Sequence, residues 1–145
     1  MESTSYEKVP SAKSVKYALV MSSQYQNIPN SYEALQNDDL SKGAGTTDEP
    51  LQSFIEAQFP FKVKVQKITL APAFGMEGGW THYNTEGKYI QYSNDRIEWT
   101  DLLKIEDVPN GEKSYEFNSV EAQYWRMYNK DDSVGYIGLG MFIFE

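Results

Sequence analysis

Trp80, His82, Tyr83 and Asn84 lie within a few positions of one another in this 145-residue chain. An aromatic ring beside imidazole and amide groups suits a sugar. The ring stacks on the apolar C–H face of a pyranose, and the polar groups satisfy its hydroxyls. These residues belong to the stretch from Ala71 to Gly87, which reads as a long loop between two strands. Long loops in compact domains are often functional. The competing reading has Trp80 and Phe74 folding inward to pin the loop. Glu77 and Glu86 sit in the same stretch, and glycosidases do use two carboxylates. Nothing in the chain sets their separation, and both read as solvated surface residues. Other catalytic sets are missing. With no cysteine there is no thiol nucleophile, thiolate metal site or disulfide. The single histidine, His82, excludes a multi-histidine metal site within one chain, and no nucleophile motif surrounds it. The chain therefore reads as a binding protein and not as an enzyme.

The charge balance narrows the ligand. Lys plus Arg total 13 and Asp plus Glu 21, so the net charge is 13 − 21 = −8. Broad nucleic-acid binding needs basic patches that displace phosphate counterions, and this balance opposes it. It opposes attraction to anionic lipid as well. No stretch approaches the roughly 20 apolar residues of a membrane-spanning helix. The polar start, Met1 to Glu7, lacks the pattern of a secretory signal. Together with the missing cysteines, this places the expected location in the cytoplasm. The ending on Phe142-Ile143-Phe144-Glu145 would also suit a domain cut from a longer chain.

The elements that must position the loop read as strands. Ile55, Ala57 and Phe59 fall on one face of an extended segment, with Glu56 and Gln58 on the other. Pro60 is expected to end that run. Val63 and Val65 alternate next. Ile68 and Leu70 continue after a one-residue phase shift, which predicts a bulge near Gln66-Lys67. Further strands are expected at Lys88 to Ser93, Lys113 to Phe117, Ala122 to Tyr128 and Tyr136 to Phe144, the last buried on both faces. Turn signals at Asn27 to Ser31, Gly43 to Gly45, Asn94-Asp95 and Pro109 to Gly111 punctuate them. The best helical candidate, Ser31 to Leu40, amounts to one short turn. The reading is an all-β sandwich, with residues 1–14 as a flexible N-terminal tail and 15–145 as one domain.

Two segments carry a resemblance. They are Tyr92-Ser93-Asn94-Asp95 with Trp99-Thr100, and Ala122-Gln123-Tyr124-Trp125-Arg126-Met127 followed by Gly138-Leu139. They resemble the discoidin family, also called coagulation factor 5/8 type C domains, in which a "Y-S-x-D-G-x-x-W" turn precedes an "A-R-Y-I-R-L" strand. Ser22-Ser23-Gln24-Tyr25, Ala34 to Ser41, Gln52 to Phe59 and Val65 to Leu70 fit upstream family segments in order. The resemblance implies an eight-stranded antiparallel jelly-roll β-sandwich of the galactose-binding-like type, with ligand loops at one end. It assigns Tyr92, Trp99, Trp125 and Arg126 to the fold, with the Trp99 ring packed into the core beside the turn. It adds the loop after the first strand, with Tyr25, and the loop before the last strand, with Tyr136, to the ligand end. The implied ligand set is Tyr25, Trp80, His82, Tyr83, Asn84 and Tyr136. Asn37-Asp38-Asp39 resembles the family's calcium loop, which would make Asp38 and Ser41 ligands of a Ca²⁺ ion. A solvated acidic turn is the competing reading, because Gln36, Asn37 and Met141 depart from the family's ligand pattern. No basic residue occurs between Ala71 and Gly87, where many galactose-binding relatives place an arginine. The expected function is lectin-like carbohydrate binding of a galactose-type glycan. The alternative is an intracellular protein-interaction domain of a larger assembly.

Overall fold

The computed structural model describes residues 8–26, 28–46, 52–73, 84–130 and 136–145. Eight strands occur among them: β1 (Ala18–Met21), β2 (Ala44–Gly45), β3 (Phe54–Ala71), β4 (Tyr89–Ser93), β5 (Thr100–Lys104), β6 (Lys113–Tyr128), β7 (Gly138–Leu139) and β8 (Met141–Phe144). Their pairings are antiparallel. No α-helix occurs among the described residues. The expected helical turn is a 3₁₀ turn at Glu33–Leu35, with Ser31 Oγ accepting from Ala34 N at 3.2 Å.

The long strands β3 and β6 build the architecture. They pair from Phe54↔Tyr128 to Leu70↔Lys113, and the register slips twice, between Gln58 and Val63 and between Val65 and Lys67. Extra residues on one strand bend a ladder and increase its twist. Here the pair folds over itself. The first half of β3 joins β1 and, through the second half of β6, β4 and β5. The second half of β3 pairs with β8 and the first half of β6. Rings from the two halves meet in between: Trp125 lies 5.8 Å from Phe144, and Phe59 lies 5.6 Å from Phe144. Ile55, Ala57, Val63, Val65, Ile68 and Leu70 are fully buried around them.

The expected bulge at Gln66-Lys67 is the second slip. Pro60 does not end the strand. It lies inside β3, exposed, where the ladder is already interrupted and its missing N–H costs no hydrogen bond. Residues 10–14 are not free, although the tail was expected to run to 14. Lys64 N donates to Pro10 O at 2.8 Å, and Ala12 is buried. An alanine at that position is small enough to seat under β3 and β8.

One further expectation changes on the outer face of the main sheet. Trp99 is only half-buried and stands on that face, its ring centroid 3.9 Å from Arg126 Cζ. Trp125 fills the core in its place. Glu56 lies on the same face, yet its side chain is 1% exposed. Its Oε2 accepts from Arg96 Nε at 2.8 Å and its Oε1 from Arg96 Nη2 at 3.0 Å. Gln58 Nε2 adds a third bond at 2.9 Å. The turn that delivers Arg96 is built by its neighbours. Asp95 Oδ1 accepts from Ile97 N at 2.8 Å and Glu98 N at 2.9 Å. The Glu98 N–H, then that of Ile97, holds the Asp95 carboxyl below the usual aspartate range. Arg96 itself takes the left-handed φ of 62°.

The Arg96–Glu56 pair has a measurable asymmetry. Arg96→Gly relieves the left-handed backbone but leaves the buried carboxylate without its cation. The expected loss is about 1–3 kcal/mol, between the values for exposed and buried pairs, because Arg96 itself is 43% exposed. Glu56→Gln should cost less, since no charge is left buried. Urea unfolding of the two variants checks this order, and equal losses would contradict it.

Candidate functional site

One end of the sandwich collects the chain crossings around the short β2–β7 ribbon, in which Ala44 faces Leu139 and Gly45 faces Gly138. Three segments are tied to it. The loop after β1 is tied through Tyr25 N, which donates to Gly45 O at 2.7 Å. Asn30 clamps the same loop. Its Nδ2 donates to Tyr25 O at 2.6 Å, and its Oδ1 accepts from Gly45 N at 2.9 Å. Its left-handed φ of 49° is one that asparagine tolerates better than most residues. The segment before β4 is tied through Thr85, whose Oγ1 donates to Gly138 O at 2.7 Å. The approach to β7 is tied through Ile137 N, which donates to Thr46 Oγ1 at 3.0 Å.

These anchors bring Tyr25, Asn84 and Tyr136 to one end: Tyr25 is hydrogen-bonded to the ribbon, Asn84 adjoins the Thr85 that bonds it, and Tyr136 lies two residues before β7. Tyr25 is half-buried, and Tyr136 is an exposed large side chain. Asn84 is 8% exposed, and its Oδ1 is a buried acceptor that has no hydrogen-bond partner among the described residues. Trp80, His82 and Tyr83, with Phe74 and Glu77, lie outside the described residues. Glu86 is not the free carboxylate of the sequence reading. Its Oε2 accepts from Val108 N at 2.9 Å and closes the loop before β6.

The acidic loop does not assemble the expected calcium ligands. Ser41 Oγ donates to Asp39 Oδ1 at 2.5 Å, not to Asp38, and Asn37 Oδ1 accepts from Asp39 N at 2.8 Å. Lys42 Nζ stands 3.7 Å from Asp39 Oδ2. The Ser41 hydrogen bond, first among the causes, holds the Asp39 carboxyl below its usual range. Among the described residues no group of three or more His, Asp or Glu side chains could hold a metal.

The sequence reading missed the groups that hold this end together. Asn30, Thr46 and Thr85 are short polar residues whose roles depend on distant backbone. The turn signals at Asn27 to Ser31, which contains Asn30, and at Gly43 to Gly45 were the local signals there.

No family model and no curated protein matches this chain. Solved structures do. CpGH89CBM32-5 from Clostridium perfringens, in complex with GalNAc-beta-1,3-galactose, superposes with a TM-score of 0.68 at 15% identity, covering 89% of this chain and 94% of that one. The family 32 CBM of C. perfringens NanJ, in complex with galactose, gives 0.66 at 13% identity, covering 90% and 94%. A pectin binding carbohydrate binding module gives 0.65 at 13% identity, covering 91% and 92%. The chain thus shares the antiparallel β-sandwich fold of these modules.

Proposed function

We propose that this chain is a non-catalytic carbohydrate-binding module that holds a galactose-type sugar at the β2–β7 end. The observation that carries the reading is Asn84 Oδ1, a buried acceptor without a partner among the described residues, at the end that also holds Tyr25 and Tyr136. An unsatisfied buried acceptor costs about 1–3 kcal/mol. A sugar hydroxyl donated to it recovers that cost, and the tyrosine rings offer stacking faces. Trp80, His82 and Tyr83 join the site in this reading, since the chain leads from them directly into Asn84. The sugar class takes support from the relatives of the same fold whose structures contain galactose or GalNAc-beta-1,3-galactose.

Titration of the ¹⁵N-labelled chain with galactose and GalNAc should shift the amides of Asn84, Thr85 and Gly138. A Kd of about 1 mM corresponds to about −4 kcal/mol, a reasonable scale for one monosaccharide. Asn84→Ala should weaken binding about tenfold. It should cost little stability, because the acceptor it removes had no partner to lose. No shift at millimolar sugar would sink the proposal and favour a protein partner.

A further inference from the structure

Both arginines of the chain stand on the outer face of the main sheet, Arg126 on β6 and Arg96 on the turn after β4. Arg96 is spent on Glu56. Arg126 is not spent in that way, although Glu56 is its direct cross-strand neighbour. Its Nε donates to Gln91 Oε1 at 2.8 Å. Among the described residues, nothing accepts a hydrogen bond from its two terminal nitrogens. The other carboxylate of the face, Asp101, is engaged as well. It accepts from Gln91 Nε2 and from Lys130 Nζ, both at 2.7 Å. Arg96, Arg126 and Lys130 thus face Glu56 and Asp101. Among the described residues, that set has one cation more than it has carboxylates, on a chain whose net charge is −8.

That cation is held rigidly. Trp99 and Tyr128 each place a ring centroid 3.9 Å from Arg126 Cζ, and Phe54 lies at 5.8 Å. Burial against these rings presses the Arg126 pKa down. A stacked guanidinium with a free edge is preorganised for a planar carboxylate, which it meets through two parallel hydrogen bonds. The same sheet continues past Gln58 and Tyr124 into a hollow of about 460 Å³ lined also by Lys16, Pro60 and Gln123. Gln58 and Gln123 use their amide nitrogens on Glu56 Oε2 and Phe59 O, which leaves amide oxygens to accept from hydroxyls.

We infer that this outer sheet face is a second carbohydrate subsite and that Arg126 makes it selective for a carboxylate-bearing, uronic-acid sugar residue. The inference rests on the carbohydrate-binding reading but not on the loop site. Charge complementarity selects the acid, and the line of amides and phenols selects a hydroxyl-rich chain over a bare anion. Strand residues hold such a constellation more rigidly than loops do.

The test uses the full chain, labelled with ¹⁵N, and three probes: a galacturonic acid trimer, its methyl ester and galactose. The trimer should shift the signals of Gln91, Asp101 and Arg126, and its binding should weaken as salt is raised. The methyl ester should bind at least tenfold more weakly. Arg126→Lys keeps the charge but loses the fork, and should weaken the trimer about tenfold while galactose still shifts Asn84 and Gly138. Trimer shifts confined to Asn84, Thr85 and Gly138 would overturn the inference. So would equal binding of acid and ester, or displacement of the trimer by oligoglutamate at the same concentration. Trimer shifts at Arg126 without any galactose response at Asn84 would sink the loop site alone. Because the mapping is done on the natural sequence, the result does not hinge on how well the variant folds.

Discussion

Replacing Trp125 by alanine is expected to lower the unfolding free energy by about 3–5 kcal/mol. Trp125 is fully buried and stands where the two halves of the folded-over sheet meet. Its ring lies 5.4 Å from Tyr92 and 5.8 Å from Phe144, so truncation opens a cavity between layers that neither layer can close alone. Its Nε1 donates to Ala122 O at 3.0 Å, and the alanine variant leaves that carbonyl without the indole donor. Trp125→Phe should cost clearly less, since most of the ring volume is kept. In a domain of this size the alanine variant should melt about 10 °C or more below the parent. Calorimetry on both variants checks the size and the order. A loss below about 1 kcal/mol would mean that the core collapses around the site, contrary to close packing.

The second large effect is expected at Gly43, and it joins stability to binding. Gly43 has φ of 145°, and a Cβ built there would stand 2.2 Å from Leu139 O and 3.1 Å from Gly140 Cα. Both neighbours are backbone, so no side-chain rotation can make room. Gly43→Ala should therefore cost about 2–3 kcal/mol and push β7 away from β2. Gly138, which accepts from Thr85, sits on that displaced strand. Galactose affinity should fall at least tenfold with it, as one misplaced anchor of this kind costs about 1.4 kcal/mol or more. Gly111 supplies the control. Its φ is 149°, but nothing lies within 4 Å of a Cβ there. Gly111→Ala carries backbone strain without the collision, so the difference between the two variants measures the collision. Equal losses in urea unfolding would show that strain alone is at work.

Much of the scaffold was legible in the chain because it depends on local periodicity. The alternation of Ile55, Ala57 and Phe59 identifies a core face, and the phase shift at Gln66-Lys67 marks a bulge the structure contains. The apolar ending was read as buried on both faces, and Gly138, Leu139, Met141 and Phe142 are buried. Pro60 was misread because a missing N–H ends a strand only where a partner needs it. For Glu56, alternation says which face the residue takes, not what later covers that face. Its cover, Arg96, is 40 positions away, on a turn built by Asp95.

The candidate site divides along the same line. Residue chemistry alone picked out Asn84, and the resemblance added Tyr25 and Tyr136. That these three share one end follows from β2 and β7, two strands of two residues each, too short to leave a periodic signal. The free guanidinium edge of Arg126 is likewise a property of pairing. It exists because Glu56 chose Arg96 and Asp101 chose Lys130, although Arg126 is adjacent to Glu56 across the strands. By itself the sequence determined an acidic, cysteine-free, all-β chain with its core faces and one aromatic loop, because composition and short-range alternation are written residue by residue. Only the tertiary structure decided which polar groups are spent on each other and which are left without a partner among the described residues, because that depends on partners far apart in the chain meeting in space.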